Sequence, residues 1–312
     1  MSGSTGLGLW FILNQMTLTE DPNWPRAKAW LESNSSTPDI EVVGVLAHQT
    51  SISPTNAHLT PDAVREALQR YSTYNLSQDV DVQDLKVKDL GNITEVDFSD
   101  GEANVLKFIS EHHNPNSLLI ALGGDNSISY SVMQAINNND LSNAGLITFD
   151  AHFDLRDGIS NGSPVRRLID AGLDPKRVVQ IGIADFANSK TYAHRAKDLG
   201  ITVIPRSEIH KSTIPEIIKN AISIAGENIY VDIDVDVCDR SVAPACPASV
   251  PGGITANQLR LIAREVAKFK QVKAIDFTEV DSSKDSTDQR TTRLVALALL
   301  EIAAGRLRQY SA

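Results

Sequence analysis

Two runs in this sequence place polar groups at every second position: Asp150, His152 and Asp154 in Asp150-Ala151-His152-Phe153-Asp154, and Asp232, Asp234 and Asp236 after Tyr230. In an extended chain alternate side chains share a face, so each run would present its polar groups on one side. The second run backs its carboxylates with Val231, Ile233, Val235 and Val237. Carboxylates aligned on a buried strand repel one another and lose hydration, so a cation is expected to compensate them. Two readings stand at this point: an edge strand with its acidic face in water, or a metal at the end of an internal strand. A calcium loop fits badly, because Val237 and Ala243 stand where such a loop, counted from Asp232, needs Gly and Glu. A lone strand His is often a hydrogen-bonded structural residue, but carboxylates on both sides of His152 favour a ligand. Oxygen donors with a single imidazole suit a hard divalent ion such as manganese better than a thiolate zinc site. Two such ions about 3.5–4 Å apart, bridged by carboxylates, would hold a hydroxide usable as a nucleophile at neutral pH.

The surrounding pattern predicts what positions these groups. Apolar runs at Val42–Leu46, Ser117–Leu122, Ala144–Phe149, Arg177–Ile183, Ile201–Ile204, the Asp-rich stretch and Val272–Phe277 read as strands. Between them lie helical stretches from about Pro61 to Tyr71, with Thr60 as cap, and at Gly101–His112, Ser129–Asn137, Thr191–Leu199 and Ile214–Ala225. Ala256–Phe269 and Thr291–Arg306 complete the set, after a short helix at Arg26–Glu32. Alternation of strands and helices with continuous Val/Ile/Leu strands implies an α/β fold, a mostly parallel sheet covered on both faces. In such sheets ligands bind beyond the carboxyl ends of the strands. Four strand ends carry Asp125-Asn126, Asp150-His152-Asp154, Asp234-Asp236 and Glu279. One acidic strand end is readily a helix cap; four at one rim define a site.

Composition sets the bounds. The 312 residues are 42% hydrophobic and 22% charged, as in a soluble globular protein. A net charge of −10 offers nucleic acid or an anionic membrane no basic surface, and no apolar run is long enough to span a bilayer. Cys238 and Cys246 are the only cysteines; without a CxxC pair they are expected to be small buried hydrophobes in a reducing cytoplasm. Residues 1–20 are expected to be an N-terminal extension, an alternative start at Met16 or appended residues, with the short apolar run Leu7–Leu13 a poor signal peptide. Residues 21–312 are expected to form a single catalytic domain.

The motifs Gly124-Asp125-Asn126-Ser127, Asp150-Ala151-His152-Phe153-Asp154 and Asp234-Val235-Asp236-Val237-Cys238-Asp239, with Pro244, Pro247 and Gly252-Gly253 downstream, resemble the arginase/agmatinase/formimidoylglutamase superfamily. The resemblance runs in order from about Val42 to the C-terminus. It implies the three-layer arginase-type α/β fold, two Mn2+ per chain, and hydrolysis of a C–N bond at a guanidino or formimidoyl carbon. It also implies assembly as a trimer or hexamer. Carried over by position, Asp150 and Asp234 bridge both ions, Asn126 and Asp154 complete one site, and His152 and Asp236 complete the other. Asp154 and Glu279 take the catalytic roles, Asp154 by bonding the hydroxide and Glu279 by facing the cationic amidine or guanidinium.

Two departures bear on function. Most of the family has His at Asn126; an amide oxygen is a weaker donor than imidazole, so that site is expected to be weak or empty. Arginases and agmatinases also have a His before the Gly in the segment aligned with Ser160-Asn161-Gly162-Ser163-Pro164, and Asn161 cannot shuttle a proton. The run His152-Phe153-Asp154-Leu155-Arg156 resembles the formimidoylglutamase branch. There Arg156 is expected to bind the glutamyl carboxylates, with Asn161, Ser163 and Glu279 as further substrate-binding residues. Arg166 and Arg167 are second candidates, and a structural ion pair of Arg156 with Asp157 or a neighbouring carboxylate is the competing role. The segment Ala47–Pro61 and the loop Asp281–Arg290 are expected to border the pocket.

The expected activity is manganese-dependent conversion of N-formimidoyl-L-glutamate to L-glutamate and formamide, in histidine degradation. Agmatine or a guanidino acid is the alternative substrate, a one-zinc amide deacetylase a third enzyme. A metal-poor ligand-binding relative is the alternative outside catalysis.

Overall fold

A computed structural model of the chain describes Asp21 and residues 23–309; the expectations for residues 1–20 lie outside them. Among the described residues there are ten strands: β1 Ile40–Val45, β2 Tyr74–Asn75, β3 Val80–Asp81, β4 Val87–Ile93, β5 Leu118–Gly123, β6 Gly145–Phe149, β7 Val178–Ile183, β8 Thr202–Pro205, β9 Ile229–Asp234 and β10 Val272–Thr278. Eight form one sheet in the order β4-β1-β5-β10-β9-β6-β7-β8, and every pairing in it is parallel. β2 and β3 make a separate antiparallel hairpin.

The helices are α1 Ala27–Leu31, α2 Thr60–Ala67, α3 Phe98–His112, α4 Ile128–Ile136, α5 Pro164–Asp170, α6 Lys190–Leu199, α7 Ile214–Ala225, α8 Ala256–Ala267 and α9 Arg290–Leu307. They cover both faces of the sheet, as the unbroken apolar strands require. One core joins Val42, Ile120, Ile147, Val231 and Ile275 to residues of α1, α2, α7, α8 and α9. The other joins Val43, Leu119, Leu146, Tyr230 and Ala274 to α3, α4, α5 and α6. Alternate residues of one strand thus feed opposite cores, which is the period-two alternation of a strand buried on both faces. Helix starts are fixed locally. α7 and α8 open with reciprocal capping boxes, Thr213 with Glu216 and Thr255 with Gln258.

The parallel α/β architecture agrees with the sequence reading, and most strands fall within a residue or two of expectation. Several local features differ. Strand β4 was not foreseen; Lys88, Asp89 and Asn92 dilute its apolar content because it is an edge strand. Thr60 lies inside α2 rather than capping it, and its hydroxyl donates instead to the carbonyl of Val280. Strand β9 ends at Asp234, and Val235–Val237 turn into a 3-10 helix after the Asp234 carboxylate accepts the backbone N–H of Asp236. Likewise β6 ends at Phe149, and Asp154 adopts a left-handed backbone at φ 52°. Neither polar run is the continuous extended face that the alternation predicts. The chain bends where the carboxylates need to converge.

Candidate metal centre

The strands ending in the four polar motifs, β5, β10, β9 and β6, are consecutive neighbours at the centre of the sheet. Parallel pairing places all their carboxyl ends on one edge, so residues far apart in sequence meet there. Gly124 permits the tightest approach: a Cβ there would lie 1.8 Å from the carbonyl oxygen of Ala47. The Gly124 carbonyl in turn accepts the backbone N–H of Glu279 at 2.9 Å, fixing the end of β10, where Glu279 itself has φ 65°. The bend after β6 is held by Asn188, whose side chain accepts from Phe153 N at 3.0 Å and donates to Ala151 O at 2.8 Å. Gln180 donates to Phe153 O at 2.9 Å. Neither supporting residue was singled out in the sequence, because an amide bonding backbone leaves no spacing signature.

Asp150, His152 and Asp236 bring ligand atoms within 4.8 Å of one another, and so do Asp150, Asp154 and Asp232. His152 Nδ1 lies 3.0 Å from Asp236 Oδ2 and 3.4 Å from Asp150 Oδ1. Asp150, Asp154, Asp232, Asp234 and Asp236 are all buried. Burial, reinforced by their mutual repulsion, pushes the pKa values of Asp154, Asp232 and Asp234 well above the ordinary carboxylate range, and that of Asp150 upward. Burial lowers the His152 pKa, but hydrogen bonds and charges from Asp150 and Asp236 outweigh this and raise it to about 12. Glu279 is pushed up to about 8 by burial and by the charge of Asp125, against hydrogen bonds from Asn161 and from the Asn126 backbone.

A divalent ion fits this donor set. Asp150 Oδ2 and Asp232 Oδ1 are buried without a hydrogen-bond partner, and such orphaned oxygens cost about 1–3 kcal/mol each, more when charged. Carboxylates with one imidazole suit manganese. Asp150 is common to both clusters. Asp154 belongs to one cluster, His152 and Asp236 to the other.

Asn126 is placed differently from a ligand. Its side-chain N–H donates to Asp154, and its amide oxygen lies 2.9 Å from Ser129 Oγ and 3.2 Å from Thr278 Oγ1. An N–H turned into the site has no lone pair for a cation. Asp232 was read only as part of the strand pattern, yet the structure brings it into the cluster.

A cleft of about 350 Å³ opens over these groups, lined among others by Ile52, His152, Asp154, Arg156, Asn161, Tyr192, Asp234, Asp236 and Glu279. Among the described residues, Arg156 is the only Lys or Arg that lines it. The competing role of Arg156 is not observed, because Asp157 pairs with Arg195 at 2.9 Å. Arg166 bonds Asp170, Arg156 O and Gly158 O, and Arg167 forks onto Glu102 at 2.6 and 2.8 Å while stacking on Tyr130. Both are structural. Asn161 lines the cleft and donates to Glu279 at 2.9 Å. Ser163 does not reach it: fully buried, it bonds Ser160 through its hydroxyl within the loop. Of the expected borders, Ile52 and Ser53 line the cleft, whereas residues 281–290 do not. They support the border instead, Asp281 accepting from Asn56 N and Lys284 donating to Pro54 O.

The arrangement defines a metal-dependent hydrolase class: a parallel α/β sheet whose central strand ends gather carboxylates and one imidazole under a small cleft. The sequence profile of the arginase family matches residues 38–305, and the chain belongs to that family. It is 33% identical to the formimidoylglutamase of Halalkalibacterium halodurans over 85% of this chain and 86% of that protein. With the formimidoylglutamase of Bacillus subtilis it shares 32% identity at the same coverage. The crystal structure of formimidoylglutamase from Bacillus subtilis superposes with a TM-score of 0.86 at 29% identity, over 95% of this chain and 96% of that one. Trypanosoma cruzi formiminoglutamase with Mn2+ has the same fold, with a TM-score of 0.84 at 23% identity over 92% of this chain and all of the other. Among the described residues, no helix is long and apolar enough to cross a membrane.

Proposed function

We propose that this protein hydrolyses N-formimidoyl-L-glutamate to L-glutamate and formamide, using two manganese ions. The observation that carries the reading is Arg156, the one Lys or Arg side chain in a cleft otherwise floored by acids. The substrate has a cationic amidine at one end and two carboxylates at the other, so it needs acid at depth and a cation at the rim. The relatives named formimidoylglutamase support the substrate, and the fold relative solved with Mn2+ supports the metal.

Asp150, His152, Asp154, Asp234 and Asp236 would hold the ions. When bound, these would supply a nucleophile from water at neutral pH, its oxygen being the one that formamide carries away. The chain's own residues do the rest. Glu279, oriented by Asn161 and by the Asn126 backbone, pairs with the amidinium and aims its carbon at the centre. Arg156 takes the glutamyl carboxylates, whose two oxygens match a guanidinium fork. Asp154, held by Asn126, accepts the proton of the attacking water and passes it to the departing amine. A guanidino acid would suit the same depth, but agmatine would set its own amine against Arg156. A reducing compartment, as in the cytoplasm, suits Cys238 and Cys246, which are buried and unpaired.

The test is product formation by manganese-loaded protein from formimidoylglutamate, with agmatine, arginine and guanidinobutyrate alongside. Turnover of formimidoylglutamate alone is the expected result. Turnover of a guanidino compound instead overturns the substrate, and silence on all with no metal bound overturns the enzyme reading.

A further inference from the structure

We propose that Asp232 is itself a metal ligand, donating to the ion nearest Asp154 in the place that Asn126 leaves open. The inference rests on the metal-dependent reading above and extends it to a residue outside the ligand set implied by the family resemblance.

Three observations converge on Asp232. It lies on the central strand β9, 1% exposed, between Thr148 of β6 and Asp276 of β10. One of its oxygens lies within 4.8 Å of oxygens from both Asp150 and Asp154. Its Oδ1 has no hydrogen-bond partner. In a strand, residues two apart share a face, so Asp232 and Asp234 project to the same side.

The competing role is that of a structural acid bonded to Asp276, since the two carboxyls do share a hydrogen bond. No N–H or hydroxyl donor reaches Asp232 Oδ1. Asp276 is moreover well supplied: it accepts from Ser129 Oγ and Tyr230 OH, each at 2.7 Å, and from Ile233 N at 3.3 Å. A purely structural acid at this depth is better replaced by an apolar residue. A ligand role explains an oxygen that no donor fills.

The chemistry also closes. Asn126 presents an N–H to Asp154, with its oxygen beside Ser129 and Thr278. Without Asp232 the cluster on that side would offer only Asp150 and Asp154. A carboxylate is a harder and stronger donor to manganese than an amide oxygen, so Asp232 compensates for the missing imidazole.

The experiment is manganese stoichiometry by elemental analysis on gel-filtered, manganese-saturated protein, for the native chain, Asp232→Asn and Asn126→Ala. Circular dichroism and thermal melts verify folding, and electron paramagnetic resonance separates coupled from isolated ions. Two manganese in the native chain, one in Asp232→Asn with the spectrum of an isolated ion, and two in Asn126→Ala is the expected pattern. Two in Asp232→Asn and one in Asn126→Ala overturns it and assigns the donor to the amide. No manganese in the native chain overturns the metal reading together with this one. Should Asp232→Asn fail to fold, anomalous diffraction from native manganese-loaded crystals decides. A peak at coordination distance from Asp232 supports the assignment, and one bounded by Asn126 but not Asp232 overturns it.

Discussion

Asn161 donates its side-chain amide to Glu279 at 2.9 Å, while its carbonyl oxygen accepts the backbone N–H of Ile52 at 3.0 Å. One amide thus ties the carboxylate that faces the substrate to the loop that walls the cleft. A hydrogen bond to a charged acceptor contributes about 1.5–3 kcal/mol. Asn161→Ala should therefore lower kcat/KM by roughly 10- to 100-fold. The bond also favours the ionised form of Glu279, so its loss should move the acid limb of the pH profile to higher pH. An unshifted profile with unchanged kcat/KM would show that Asn161 does not orient Glu279.

The metal-free protein should lose stability as pH rises. Burial and the neighbouring Asp125 raise Glu279 from 4.5 to about 8, and burial raises Asp276 from 3.8 to about 6. Asp150 and Asp236 raise His152 from 6.5 to about 12 against its burial. A raised folded-state pKa means that the folded chain holds more protons than the unfolded one. Its stabilisation is full below the unfolded pKa and is lost as pH climbs through the folded value. Between pH 6 and 8.5, Glu279 and His152 carry the slope. Melting of chelator-treated protein should fall by about 5 °C or more over this window, and saturating manganese should flatten or reverse the trend. A flat melting curve without metal would contradict the crowding of carboxylates described here.

How much of this was legible in the sequence follows the range of the forces involved. The strands and helices rest on local periodicity, and Ile214–Ala225 was read to the residue. The rim of polar strand ends followed from the rule that parallel sheets bind at one edge. The sequence could not reveal that β5, β10, β9 and β6 are neighbours, because strand order is a non-local packing outcome. Nor could it reveal the bends after Phe149 and Asp234, where bonds such as Asn188 to Phe153 and Ala151 override the extended alternation. Ser163 shows the reverse error. A motif position was taken for a substrate contact, but its hydroxyl is consumed by Ser160.

Asn126→His should tighten manganese retention. The imidazole would replace an amide whose N–H faces Asp154 and would offer that side of the centre a nitrogen lone pair. Dissociation into excess chelator, followed as free manganese, should show the slower-released ion held at least about 10-fold longer than in the native chain, a gain of about 1.4 kcal/mol. Identical release from both proteins would mean that position 126 does not face the ion.

Arg156→Ala should act on binding rather than chemistry. Arg156 is exposed at the rim, its backbone N–H bonded to Gly162 O at 3.0 Å, and its stem passes so close to Gly162 that a Cβ there would lie 2.7 Å from Arg156 Cδ. Arg156 thus lines the cleft while remaining open to solvent. Far from the reacting carbon, it grips substrate and transition state alike, and removing such uniform binding raises KM with little change in kcat. The expected rise for formimidoylglutamate is roughly 10- to 100-fold, the worth of a charge-assisted hydrogen-bonded pair. Lysine at this position should recover only part of it, because a point charge cannot fork onto a carboxylate. Steady-state kinetics on a substrate lacking the carboxylates gives the control, since its KM should not respond to Arg156→Ala. A collapse of kcat with KM unchanged would place Arg156 in the chemistry and remove the argument that it selects a dicarboxylate.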